Sequence, residues 1–192
     1  MAVTKDYNFV VEYPKIFDRE GQYGDVDRGD AKSKQKWLRE LAKNPEVKIR
    51  CYFTSEEDMQ DLLQDDNFQN EVLNPQTGQT VTRIKDGNEE YGIGKYIDLK
   101  NKLTDIREFP DSKTGEIIEK DYGGVPEVVV MKVDDEGKKS FVKYDYDELG
   151  APSNGSEARI RFHPRFMRPM KIGFTKLIEY MPEGGERDSD GF

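Results

Sequence analysis

Between residues 47 and 53 the chain alternates strictly. Val47, Ile49, Cys51 and Phe53 fall in one phase, and Lys48, Arg50 and Tyr52 in the other. That is the period of a strand with one buried face. Residues 9–17 are rich in β-branched and aromatic side chains and predict a first strand, which Pro14 confines to an edge or a break. Residues 95–103 set Ile97, Leu99 and Leu103 against Tyr96, Asp98, Lys100 and Lys102. Residues 106–109 and 117–122 flank a turn at 110–115. Residues 125–133 are apolar enough for a buried strand, and 139–146 follow a turn at 134–137. Residues 159–163 alternate bases with Ile160 and Phe162, and 170–180 form the last strand.

Two stretches have helical spacing instead. Residues 31–43 cluster Trp37, Leu38 and Leu41 on one face and end at Asn44-Pro45. Ser55 followed by Glu56, Glu57 and Asp58 is a helix start, with Ser55 as N-cap and acids in the first turn. Met59, Leu62 and Leu63 supply its apolar face. Residues 19–30 read as a polar loop, and 64–91 as a hairpin or loop with a turn at 74–78. Short strands, frequent turns and two helices predict a mostly antiparallel β domain, in the form of a small Greek-key barrel. The domain is expected over 1–181, with a flexible acidic tail at 182–192.

Composition narrows the picture. Charged residues make up 36% of 192, well above the usual quarter. The core is therefore modest. Twenty-one aromatic residues in so polar a chain imply that some rings lie at the surface. The longest uninterrupted apolar run, residues 128–131, is far too short to span a membrane. With one cysteine and no apolar leader at the N-terminus, a cytoplasmic location is expected, the host cytoplasm if the chain is phage-encoded.

The net charge of −9 is unevenly spread. Residues 158–178 hold six bases and no carboxylate. The tail from Glu179 holds five carboxylates and one arginine, and ends on Phe192. An acidic body with one cationic stripe repels a polyanion everywhere except along the stripe.

Most catalytic chemistry lacks its residues. Cys51 sits in an apolar phase and reads as a buried thiol, while His163 is the only histidine. Zinc needs several such ligands. Gly92-Ile-Gly94-Lys95 lacks the first glycine and the hydroxyl residue of a phosphate loop, so the glycines read as a tight turn. Asp25, Asp27 and Asp30 have Gly29 where a calcium loop needs a ligand. No enzymatic activity, metal or cofactor is expected.

What remains is basic and aromatic residues on strands, the combination on which unpaired nucleic acid lays its phosphates and stacks its bases. Arg159, Arg161, Arg165, Arg168, Lys171 and Lys176 supply cations, and Phe166, between strands, is the freest ring. Phe162 and Phe174 share a phase with Ile160 and Ile172 and belong to the core. Tyr96, Lys100 and Lys102 form a second cluster, and Lys48, Arg50 and Tyr52 a third.

With Gly92-Ile-Gly-Lys-Tyr-Ile-Asp-Leu-Lys100, Gly123-Gly-Val-Pro126, Asn154-Gly-Ser-Glu-Ala-Arg-Ile-Arg-Phe162, Met170-Lys-Ile-Gly-Phe174 and Leu177-Ile-Glu-Tyr180, the chain resembles the single-stranded DNA-binding proteins of phage replication systems. The likeness covers roughly residues 90–192. It implies an OB-fold, coating of single strands during replication and recombination, and a tail that recruits the phage polymerase or other replication proteins. That role would fall on Phe192 with Glu186, Asp188 and Asp190. The likeness also implies that the tail competes with DNA for the cationic groove, although here the tail is short and interrupted by Arg187. Two other readings stay open: a protein–protein adaptor or virion-associated β-barrel protein docking an acidic partner, and an RNA-binding OB domain. For the DNA-binding reading, a homodimer is compatible with the sequence, and no membrane partner is expected.

Overall fold

A computed structural model describes residues 3–16, 46–102, 106–121 and 126–178. The expected helix at 31–43, the loop at 19–30, and the tail with Glu186, Asp188, Asp190 and Phe192 lie outside the described residues. The chain divides into two compact units, where the sequence led us to expect one domain. Residues 1–14, 49–99 and 126–192 form the first, and residues 15–48 and 100–125 the second.

The mostly β reading holds. β1 (Lys5–Lys15), β2 (Glu46–Phe53), β5 (Lys85–Asp86), β6 (Lys95–Lys102), β9 (Glu127–Val133), β10 (Lys139–Lys143), β11 (Glu157–His163) and β12 (Arg168–Lys176) form one sheet. Its order is β10-β9-β12-β11-β1-β2-β6-β5. β12 and β9 run parallel, while β1–β11, β11–β12 and β9–β10 are antiparallel. Among the described residues β10 and β5 do not pair with each other, so the strands are not seen to close into the expected barrel. β3 (Glu71–Leu73) and β4 (Thr80–Thr82) make the expected hairpin within 64–91.

In the first unit, alternation sorts residues as the sequence predicts. Phe9, Ile49, Cys51, Phe53, Ile97, Leu99, Ile160, Phe162, Ile172 and Phe174 are all fully buried. Tyr7, Phe9, Phe53 and Phe162 form an aromatic cluster with ring centroids 5.4–6.3 Å apart. α1 (Glu56–Leu63) starts at Ser55, whose side chain accepts the Asp58 N–H at 3.2 Å. Met59 and Leu62 are buried, whereas Leu63, expected on the same face, is partly exposed. The chain after Lys143 leaves the sheet and forms a short helix, α2 (Tyr146–Leu149), capped by Asp145. Tyr146 thus starts a helix instead of ending the strand expected over 139–146. Asp145 accepts two N–H groups in helical geometry, and this local capping outcompetes continued pairing.

α1 is tied to β1 by a small polar cluster. The Tyr7 hydroxyl donates to Asp61, and Lys5 pairs with Asp61 and Asp65, each at 3.2 Å. The Tyr7 and Lys5 contacts hold the Asp61 carboxyl below its ordinary value. At Asp65 burial pushes up, but hydrogen bonds from Asn67 and Lys5 outweigh it and the carboxyl also ends low. A carboxyl lowered by folding stabilises the folded state above the unfolded carboxyl range, and this is lost as pH falls through the folded-state value. Asp61→Asn is therefore expected to lower stability at neutral pH. The difference from the parent should shrink in acid, and urea melts at several pH values check it.

The second unit contains the hairpin β7 (Ile106–Pro110) and β8 (Ile117–Asp121). Its turn forms where the sequence places it. Asp111 accepts the N–H groups of Lys113 and Gly115, and Gly115 takes φ 73.

Candidate nucleic-acid interface

In the first unit the open face of the sheet is built in cross-strand rows. One row runs Asp6 (β1), Arg161 (β11), Lys171 (β12), Glu127 (β9). The next runs Asn8, Arg159, Gly173, Val129, Lys143. Residues directly opposite one another share a face, so Arg159, Arg161 and Lys171 are neighbours. Strict alternation along β12 would send Arg168 and Lys176 to the core side of Lys171. Two register shifts prevent this. Arg168 stands opposite His163, and Lys176 opposite Glu157. Both partners are in the phase of Arg159 and Arg161. Five of the six predicted cations thus share one face, and Arg165 lies in the turn beyond it.

This face is not free of carboxylates, as the 158–178 segment is. The neighbouring strands bring Asp6 and Glu127, and β11 itself brings Glu157. Asp6 accepts from Arg161 Nε at 2.9 Å and Nη2 at 3.3 Å, and stands 3.8 Å from Arg159. These hydrogen bonds push the Arg161 guanidinium further above its ordinary value. Lys171 stands 3.7 Å from Glu127. Arg165, Arg168 and Lys176 have no ion pair among the described residues.

A ring that sequence reasoning missed completes the face. Phe141 on β10 is 44% exposed. A Cβ on Gly173 would lie 3.0 Å from its Cε1 atom, so the glycine lets the ring settle closer over β12 than a larger residue would. A shallow concavity of about 160 Å³ opens between this ring and Arg159, Arg161 and Lys171. The signal was present: a glycine inside a strand marks a close approach, and Phe141 stands in a lysine-rich segment.

The other two predicted clusters fare differently. Tyr52 and Tyr96 are buried, not exposed as stacking platforms. The 87–94 loop covers them. A Cβ on Gly87 would stand 2.4 Å from the Tyr52 hydroxyl oxygen and 2.7 Å from the Tyr96 ring. The Asn88 N–H donates to that hydroxyl at 3.0 Å, and the hydroxyl donates to Glu12 at 3.3 Å. Burial pushes the Tyr52 phenol up, keeping it a neutral donor. Arg50 is occupied too. It donates to Asp98 at 3.2 Å and Glu12 at 3.5 Å, and lies 4.2 Å from the Tyr96 ring centroid. Lys48, Lys100 and Lys102 are exposed and belong to the second unit.

Phe166 is the freest of the predicted rings, at 65% exposed. Cys51 is fully buried, and burial drives its thiol well up, away from the reactive thiolate. His163 Nδ1 lies 3.3 Å from the Val3 carbonyl oxygen. Among the described residues no group of His, Cys, Asp and Glu is placed to hold a metal, and no helix is long and apolar enough to cross a membrane.

Comparison of the chain with known protein families, with curated proteins and with solved structures finds no match in any of the three. The reading of this site therefore rests on its own geometry and on the sequence resemblance.

Proposed function

We propose that this protein binds single-stranded DNA without an enzymatic step. The observation that carries the reading is the open face itself: five cations on two adjacent strands, beside an exposed ring seated on a glycine. Phosphates along such a face meet guanidinium and ammonium groups, while an unpaired base stacks on Phe141. A duplex hides its base faces, so the ring favours the unpaired strand. Binding the unpaired state shifts the duplex-to-single-strand equilibrium by mass action, as any ligand stabilises the state it prefers. The resemblance to phage proteins supports a role in replication and recombination. It also supports recruitment of a polymerase or other replication protein by Glu186, Asp188, Asp190 and Phe192. That part of the proposal rests on sequence alone.

The test is fluorescence anisotropy against labelled oligo-dT, the matching duplex and the matching RNA, at low and moderate salt. The expected result is binding to the single strand in preference to the duplex. Neutralising about five phosphates gives a log–log salt slope of roughly −3.5. A slope near zero removes the basic face as the binding surface. Preference for the RNA strand reassigns the protein to RNA. Binding to none of the three favours the adaptor reading instead.

A further inference from the structure

The turn between β11 and β12 holds a second concavity, separate from the open face. Its volume is about 370 Å³, and it is lined by Asp66, Asn67, Gln69, Arg165 and Phe166. Both walls are pinned from behind. Met167 adopts φ 54, a conformation rare for a residue with a side chain, and buries that side chain while its N–H bonds the His163 carbonyl at 2.8 Å. The adjacent Phe166 is thereby turned outward. On the opposite wall Phe68 is buried between Asn67 and Gln69. The Asp65 carboxylate takes the Asn67 N–H, and the Asn70 side chain takes the Ile84 N–H.

Most of the lining is unspent. Among the described residues, no partner bonds the side chains of Asp66 or Gln69, and no carboxylate pairs with Arg165, whereas the Asn67 side chain is engaged by Asp65. The Arg165 guanidinium carbon lies 5.6 Å from the Phe166 ring centroid. The pocket therefore offers a stacking ring, a cation beside it, and across from them one carboxylate with two amides. That set matches a single nucleotide, with its base on Phe166 and its phosphate at Arg165. An ionised carboxylate only accepts hydrogen bonds. Guanine presents two adjacent donors on its pairing edge, N1–H and the N2 amino group, which match the two oxygens of Asp66. Its O6 acceptor suits the amide N–H of Gln69. Thymine offers one donor flanked by two carbonyls, which the carboxylate repels.

We infer that this turn pocket is a subsite for one guanine base of the bound strand. The inference rests on the single-stranded DNA reading and adds a base preference to it. The test measures affinity for oligo-dT and for the same oligonucleotide with one central thymine replaced by guanine, adenine or cytosine. The guanine strand is expected to bind about 10-fold tighter than oligo-dT. Asp66→Asn should bring that ratio towards one, and Phe166→Ala should weaken binding of both strands. Equal affinity for all four strands overturns the subsite while leaving the DNA-binding reading in place. So does a preference for adenine or cytosine over guanine, or a guanine preference that survives Asp66→Asn. Failure to bind any strand instead overturns the reading beneath it.

Discussion

On the proposed function, replacing Arg159 and Arg161 together by alanine is expected to lower affinity for oligo-dT by roughly 30- to 140-fold at low salt. Each charge-assisted phosphate contact is worth about 1–1.5 kcal/mol at a half-exposed site, and 1.4 kcal/mol is tenfold. The salt slope flattens by about 1.4, or 0.7 for each phosphate no longer neutralised. Both side chains are half exposed and hold no core, so the double variant keeps its fold and its melting temperature. Asp6→Asn moves the other way. Asp6 holds Arg161 through two hydrogen bonds in the fork geometry a phosphate would use. An incoming strand must displace that carboxylate, so its removal tightens binding by several-fold. Anisotropy titrations of the three proteins, at two salt concentrations, check both signs. Weaker binding by Asp6→Asn would assign Asp6 to orienting Arg161 rather than competing for it.

Gly92→Ala destabilises the protein by roughly 2–4 kcal/mol, from a strained backbone and a lost hydrogen bond. Gly92 has φ 54, and a Cβ there would stand 2.0 Å from the Phe53 carbonyl oxygen. That oxygen accepts the Ile93 N–H at 2.9 Å, which fastens the loop to the end of β2. Moving the loop away uncovers Tyr52 and Tyr96. Urea or thermal melts give the size of the loss, about 4–16 °C in melting temperature for a protein of this length. Gly137→Ala is the comparison. Gly137 also has positive φ, at 82, but nothing lies within 4 Å of a Cβ there. It should pay only the backbone cost of about 1–2 kcal/mol. Equal losses would show that the Phe53 contact carries no weight.

The rings show where the sequence could be read and where it could not. Phe162 and Phe174 belong to the core, and Phe166 to the surface, because local phase and a turn position settle each. Tyr52 and Tyr96 share the same outward phase as Arg50, and on alternation alone nothing marks them as covered. A loop 35 residues beyond Tyr52 in the chain covers them, and its glycines by themselves indicate only a turn. The β3–β4 hairpin, the β7–β8 turn and the Ser55 cap were legible, since each depends on neighbours within a few residues.

By itself, then, the sequence determined a mostly β chain, its core phase, its main turns and the presence of a cationic segment. These follow from short-range sterics and from a period of two. Tertiary structure alone decided which cations share a face. Arg168 and Lys176 are out of phase with Lys171, and only the two register shifts on β12 turn them to the same side. It also decided that Asp6 and Glu127 stand among those cations and that Phe141 lies over Gly173. Pairing between strands distant in the chain sets each of these, and a bulge of one residue reverses every face assignment beyond it.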